Sequence, residues 1–220
     1  MSPRPFERPA TIALPEAPDL PSGAALDGLW LPETGEGGAR GGAVIAAPHP
    51  LMGGSMESPV TTEIALAMSD VGFVSLRFDW RGVGGSAGIA SGESDDADVD
   101  YRAALAFMRE SVSGPVIACG YSWGALAAAR VAPGEPGVQR LVLVAPPPAM
   151  LEGSRLADGA MSILVIAGDR DETVPEEALR ETFAGNDRVQ IDILEGVDHF
   201  FMTGLAGIGH RIRNWFESAD

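Results

Sequence analysis

Val116-Ile117-Ala118-Cys119-Gly120-Tyr121-Ser122-Trp123-Gly124-Ala125-Leu126 is the stretch on which the reading of this chain turns. A short apolar run ends in Gly-Tyr-Ser-Trp-Gly, and a helical pattern of small residues follows. That is G-x-S-x-G in the setting it needs: strand, sharp turn, helix. Such a turn lifts one serine to the top of a sheet in a strained backbone conformation, and glycine at 120 and 124 lets the neighbouring backbone come close. The helix that begins after Ser122 points its first amide N–H groups and the positive end of its dipole at the same spot. The pentapeptide alone also fits an ordinary strand-to-helix turn capped by a serine, so the flanking chain has to decide.

Outward from the elbow, buried strands alternate with helices. Ala43 to Ala47 is a continuous run of small apolar residues, as expected of a strand covered on both faces. Residues 57–71 read as a helix that stops at Gly72, and Phe73 to Phe78 as the next strand. Asp96 to Val112 has helical spacing. After the elbow helix, Leu141 to Val144 and Ser162 to Ile166 are further buried strands. Pro175 to Phe183 reads as a helix with proline in its first turn, Val189 to Leu194 as a last strand, and Leu205 to Phe216 as a closing helix. Upstream, Thr11 to Leu14 and Ala25 to Leu31 suit a pair of antiparallel strands, and Glu33 to Gly42 reads as a flexible hairpin-type connection. This alternation predicts an α/β fold, one domain over residues 1–220, with a mostly parallel sheet of about eight strands and helices on both faces. Residues 1–10 are expected to be loosely held.

In such sheets, reactive groups sit on loops at the carboxyl ends of the strands. Three loops meet that test. Ser122 follows the strand at 116–120. Asp169 and Asp171 follow the strand at 162–167. His199 follows the strand at 189–194, in Gly196-Val197-Asp198-His199-Phe200-Phe201. The chemistry needs these types: an imidazole takes the proton of a weakly nucleophilic hydroxyl and returns it to the leaving group, and a carboxylate holds the imidazole's tautomer. The position just before Glu172-Thr173-Val174-Pro175 favours Asp171 over Asp169. A second oxyanion donor is expected from the loop after residues 43–47, Pro48-His49-Pro50-Leu51-Met52-Gly53-Gly54-Ser55-Met56, with the Leu51 N–H aimed inward and the Trp123 N–H as its counterpart. His49 suits a brace for that loop, and His210, inside the last helix, is given no role.

The chain carries a formal net charge of −16, with 31 acidic residues against 15 basic ones, all arginine. Such a surface repels nucleic acid and anionic membranes, so neither is an expected partner. One cysteine, Cys119, allows no internal disulfide and fits a reducing cytoplasm. No apolar segment has the length of a signal peptide or a membrane span, so a soluble cytoplasmic protein is the expectation. There is no His/Cys/Asp cluster at ligand spacing, and Gly82-Val83-Gly84-Gly85 does not open a dinucleotide-binding helix. Neither a metal nor a cofactor is expected.

With these residues in hand, the sequence resembles the α/β-hydrolase superfamily across nearly its whole length. The turn from Pro48 to Met56 is similar to that of small bacterial hydrolases reading H-P-H-P-L-x-G-G-[ST]-M. Ala47 stands where that pattern has its first histidine. Phe78-Asp79-Trp80-Arg81-Gly82-Val83-Gly84-Gly85-Ser86 resembles the R-G-x-G-x-S turn of the superfamily, in which Arg81 and the glycines read as structural. The resemblance carries the triad onto Ser122, Asp171 and His199. Many superfamily members insert a helical lid between the strands equivalent to 141–145 and 162–167. Here only Pro146 to Met161 lie between them, too few for a lid domain, so short loops must close the acyl pocket. The reading is a lidless serine hydrolase acting on an ester or thioester of a small-molecule acyl substrate. Biosynthetic acyl transfer or elimination on the same scaffold is the alternative chemistry, and a ligand-binding module without turnover the third class. Met52, Met56, Trp80, Trp123, Met150 and Phe200 are candidates for the pocket wall. Asp95 and Asp96 are candidates for a rim charge that disfavours anionic substrates.

Overall fold

A computed structural model describes residues 6–34, 37–151, 156 and 161–218. Eight strands form one sheet: β1 (Arg8–Ala13), β2 (Ala25–Leu31), β3 (Gly41–Ala46), β4 (Phe73–Phe78), β5 (Val116–Tyr121), β6 (Val138–Val144), β7 (Ser162–Gly168) and β8 (Val189–Leu194). Five helices accompany them: α1 (Pro59–Asp70), α2 (Ser94–Ser111), α3 (Trp123–Val131), α4 (Glu176–Thr182) and α5 (Leu205–Glu217). The strand order is β1-β2-β4-β3-β5-β6-β7-β8, with β1 and β2 antiparallel and the rest parallel. Every residue of β3, β4 and β5 is buried, whereas β1 alternates exposed and buried from Pro9 onward. The first pattern marks central strands covered on both faces and the second an edge strand.

Helix boundaries follow local chemistry. Pro59 opens α1, where a missing N–H costs nothing. Asp95 and Asp96 sit in the first turn of α2 and Arg109 in its last, each matched to the helix dipole. Helix α1 packs on α5, and α2 on α3. Arg81 ties the loop after β4 to α2: its guanidinium reaches Asp100 at 2.8 Å and Asp96 at 2.5 Å. Asp96 is therefore paired into the framework that holds this loop rather than a free rim charge.

Two expectations change. Residues 33–42 do not close a hairpin, because β4 lies between β2 and β3; residues 35–36 of that connection lie outside the described ones. The N-terminal stretch is ordered earlier than expected, since β1 starts at Arg8 and pairs with β2; residues 1–5 are outside the described set. Among the described residues no helix is long and apolar enough to cross a membrane.

The sheet positions the site through its winding. From β3 the chain passes through α1 to β4 on one side. From β5 it passes through α3 to β6 on the other. The loops leaving β3 and β5, which are neighbours in the sheet, therefore diverge and open a crevice at their carboxyl ends.

Candidate active site

Ser122 is the residue between β5 and α3, and its backbone is at φ 53°, ψ −113°. A non-glycine residue there is strained by roughly 1–3 kcal/mol, which the surroundings must enforce. They do so by close packing. A Cβ on Gly120 would collide with the Gly124 carbonyl, and one on Gly124 with the Ala46 and Ala47 carbonyls. The Ser122 N–H donates to the Val144 carbonyl at 2.8 Å, which fastens the turn to β6.

Ser122 Oγ lies 3.0 Å from His199 Nε2, and His199 Nδ1 lies 2.7 Å from Asp171 Oδ2. Asp171 is buried, and its other oxygen accepts the Thr173 and Val174 amides at 2.9 and 3.0 Å. A carboxylate held by two amides accepts the Nδ1 proton, which leaves the Nε2 lone pair toward the serine. Asp169 is not in this chain of contacts. Its Oδ1 accepts the Gly196 N–H at 2.6 Å and the Val197 N–H at 3.3 Å, so it ties down the loop that leads to His199.

Tyr121, the residue before the serine, braces the same loop from the other side: its hydroxyl donates to the His199 carbonyl at 2.9 Å. Burial, helped by the charges of Asp171 and Asp198, pushes the Tyr121 phenol up to about 12. It stays a neutral donor at ordinary pH. Nothing in the sequence marks this contact, because the position is variable in G-x-S-x-G and its partner is 78 residues away.

The turn after β3 is arranged differently from expectation. The Leu51 N–H donates to His49 Nδ1 at 3.2 Å, Leu51 is exposed, and it does not line the crevice. The amide chosen as an oxyanion donor is thus taken by a side-chain cap within its own turn, which spans Pro50–Met52. His49 does brace the loop, and its ring also lies 4.7 Å from that of Trp123. No hydrogen bond from the His49 or Trp123 backbone N–H is found among the described residues, and both residues line the crevice beside Ser122. Side chains from the following strand end fix the turn. Trp80 Nε1 donates to the Ala47 and Pro48 carbonyls at 3.0 and 3.1 Å. Asp79 accepts the Met56 N–H at 2.7 Å, and Arg77 donates to the Met56 carbonyl at 2.6 Å. Burial raises the Asp79 carboxyl above its ordinary range, against the stabilising Met56 amide.

The crevice over Ser122 has a volume of about 560 Å³. Met52, Trp123, Met150 and Phe200 line it as expected, and Met202 joins them. Met56 and Trp80 do not: both are buried behind the turn they hold.

A family model described as serine aminopeptidase, S33, matches residues 45–153, which include Ser122 but neither Asp171 nor His199. A serine hydrolase homologue from Coxiella burnetii is 28% identical, with 91% of this chain and 94% of that one covered at a TM-score of 0.79. A serine hydrolase without lid from Xanthomonas campestris is 27% identical, with 96% and 94% covered at a TM-score of 0.80. An uncharacterized protein of Rickettsia prowazekii is 26% identical over 170 residues, 72% of this chain and 71% of that one. The fold is the α/β-hydrolase fold, and these similarities point to a hydrolase.

Proposed function

We propose that the protein cleaves an ester or thioester of a small-molecule acyl substrate through an acyl-enzyme on Ser122. The observation that carries this reading is the continuous contact chain Ser122–His199–Asp171 at 3.0 and 2.7 Å beneath an open crevice. Ser122 Oγ attacks the acyl carbonyl while His199 Nε2 takes its proton. The tetrahedral intermediate collapses, and the same proton goes to the departing alcohol or thiol. Water then attacks the acyl-enzyme by the reverse sequence, releasing the acid and free Ser122. Asp171 keeps the Nδ1 proton in place and stabilises the imidazolium.

For the oxyanion, the reading takes the Trp123 N–H, at the positive end of α3, and the His49 N–H in place of that of Leu51. Both amides lack partners among the described residues, and each is asked to contribute about 3–4 kcal/mol in the transition state. An aminopeptidase would need an anionic group to hold the substrate's ammonium. The described lining is mostly apolar, with Met52, Trp123, Met150, Phe200 and Met202, which suits the acyl or alkyl part of an ester or thioester better than a peptide's ammonium end.

A fluorophosphonate probe tests the reading. Wild-type protein should label once, on Ser122, and hydrolyse a p-nitrophenyl ester. Ser122→Ala should lose the label and at least about 10⁴-fold in kcat. Failure of folded wild type to label, or persistence of the label in Ser122→Ala, removes the assignment.

A further inference from the structure

Seven large apolar side chains stand exposed among the described residues, and four of them line the crevice over Ser122. They are Met52 at 84% exposure, Met150 at 55%, Phe200 at 70% and Met202 at 81%. Isolated exposed apolar residues are ordinary on any surface; four around one opening are not. They also come from three separate places in the chain: the turn after β3, the short turn at Pro148–Met150 after β6, and the loop that carries His199. No single piece of local packing accounts for them.

The charge pattern is as informative. The molecule carries a net charge of −16, yet no Asp, Glu or Arg lines this crevice among the described residues. The polar side chains there, apart from Ser122 and His199, are His49, Ser58, Tyr121 and Thr173. A charged group lying on these side chains would lose water and find no counter-ion among the described residues of the lining, a costly exchange. An apolar chain would instead cover side chains that folding has left in water. Three of those four are methionines, whose unbranched thioethers adjust to chains of different length.

Building on the acyl-enzyme reading, we infer that the substrate of this site carries an uncharged aliphatic chain that lies across Met52, Met150, Phe200 and Met202. The rim sets the preference for length by covering methylenes one after another. Each methylene taken from water is worth a factor of about three to four in kcat/KM until the rim is covered. The same chemistry could reach the rim from either side of the ester bond, as the acyl chain or as the alkyl chain of the alcohol.

Two ester series separate these sources: p-nitrophenyl esters from acetyl to decanoyl, and acetate esters of alcohols of matching length. In one of the series kcat/KM should climb about threefold to fourfold per methylene and then level off, and the climbing series names the side that the rim takes. An acyl chain ending in a carboxylate should be at least about tenfold poorer than its neutral counterpart. Exchanging Met52 and Met202 together for glutamine, at two solvent-exposed positions, should lower the ratio of kcat/KM for the eight-carbon chain to that for the two-carbon chain about tenfold in the climbing series. Circular dichroism checks that this variant is folded. A flat profile in both series, in an enzyme that labels and turns over, overturns the rim assignment and leaves the acyl-enzyme reading standing. So does equal use of the carboxylate-ended chain. A rate that jumps only above the solubility limit of the ester, with binding to phosphatidylcholine vesicles, would assign the rim to a lipid surface instead. Absence of both turnover and labelling overturns the two readings together.

Discussion

The triad and the turn from Pro48 to Met56 face each other across one crevice, but they are held by different means. Ser122, Asp171 and His199 sit in the loops that leave the carboxyl ends of β5, β7 and β8. Backbone packing and main-chain amides set Ser122 and Asp171: Gly120 and Gly124 admit the elbow, and the Thr173 and Val174 amides fix Asp171. The turn has local determinants of its own shape, since the Met52 and Gly54 amides donate to the His49 carbonyl and Gly53 is left-handed, but these do not say where it sits on the sheet. Its position depends on Trp80, Asp79 and Arg77, side chains 21 to 33 residues away in sequence, which claim the Ala47, Pro48 and Met56 backbone. One side of the crevice is therefore specified by strand ends and the other by a framework of long-range hydrogen bonds. Damage to the triad should be close to all-or-none, and damage to the turn graded.

Asp171→Asn and Asp169→Asn give the sharpest contrast on the triad side. An amide at 171 presents the wrong group to His199 Nδ1 and should reduce kcat about 10⁴-fold. An amide at 169 still accepts the Gly196 and Val197 N–H groups through its oxygen. It should leave kcat within about threefold, with a stability loss of no more than about 1 kcal/mol. Steady-state kinetics on one ester and a denaturant melt for each variant decide this. Equal activities, or the reverse ranking, would mean that the wrong aspartate faces the histidine.

The same contrast explains what the sequence disclosed. The strand and helix sequence was legible because the apolar runs at 43–47, 73–78 and 116–120 belong to strands buried on both faces, a pattern that composition alone displays. The carboxyl ends of the strands at 116–120, 162–167 and 189–194 then located Ser122, Asp171 and His199. The oxyanion turn was not legible to the same depth. Leu51 looked available because nothing in Pro-His-Pro-Leu-Met says that the His49 ring will fold back onto its amide. Trp80 looked like a pocket residue because an indole beside a glycine-rich turn gives no sign of which way it faces; it is buried, with its N–H on the turn's carbonyls. The misread hairpin at 33–42 has a related cause, since spacing along the chain does not reveal that β4 will insert between β2 and β3. Pairwise contacts made across long separations are what the missed features share.

Trp80→Phe tests the graded side. The ring keeps its apolar packing on Phe78, but the Ala47 and Pro48 carbonyls lose their shared donor. Loss of a buried partner should cost about 1–3 kcal/mol of stability. Loosening the turn that carries the His49 amide should reduce kcat about tenfold, with KM changed less than about threefold, because an oxyanion donor acts in the transition state. The fall has to persist per active site titrated with the fluorophosphonate, since a merely destabilised protein would lose active fraction and so lower the apparent kcat with KM unchanged. A rise in KM with kcat intact would make the turn a wall of the crevice and nothing more.

The smallest expected effect lies on the triad side, where the Tyr121 side chain holds the His199 loop across 78 residues. Tyr121→Phe retains the ring that packs on Phe201 and near His199, and removes only the hydroxyl that donates to the His199 carbonyl. A single neutral hydrogen bond is worth about 0.5–1.5 kcal/mol, so kcat should fall about twofold to tenfold if all of it serves to place the imidazole. Because burial keeps the phenol protonated up to about 12, the ratio of wild type to variant should stay constant from about pH 6 to 9. The neutral form is the donor, and it is lost only as pH rises through that raised value. A ratio that varied across this range would mean that the hydroxyl alters the ionisation of His199 itself. A pH-independent ratio would leave it as a positional brace, so that the His199 loop is held as the oxyanion turn is held, by a side chain distant in sequence.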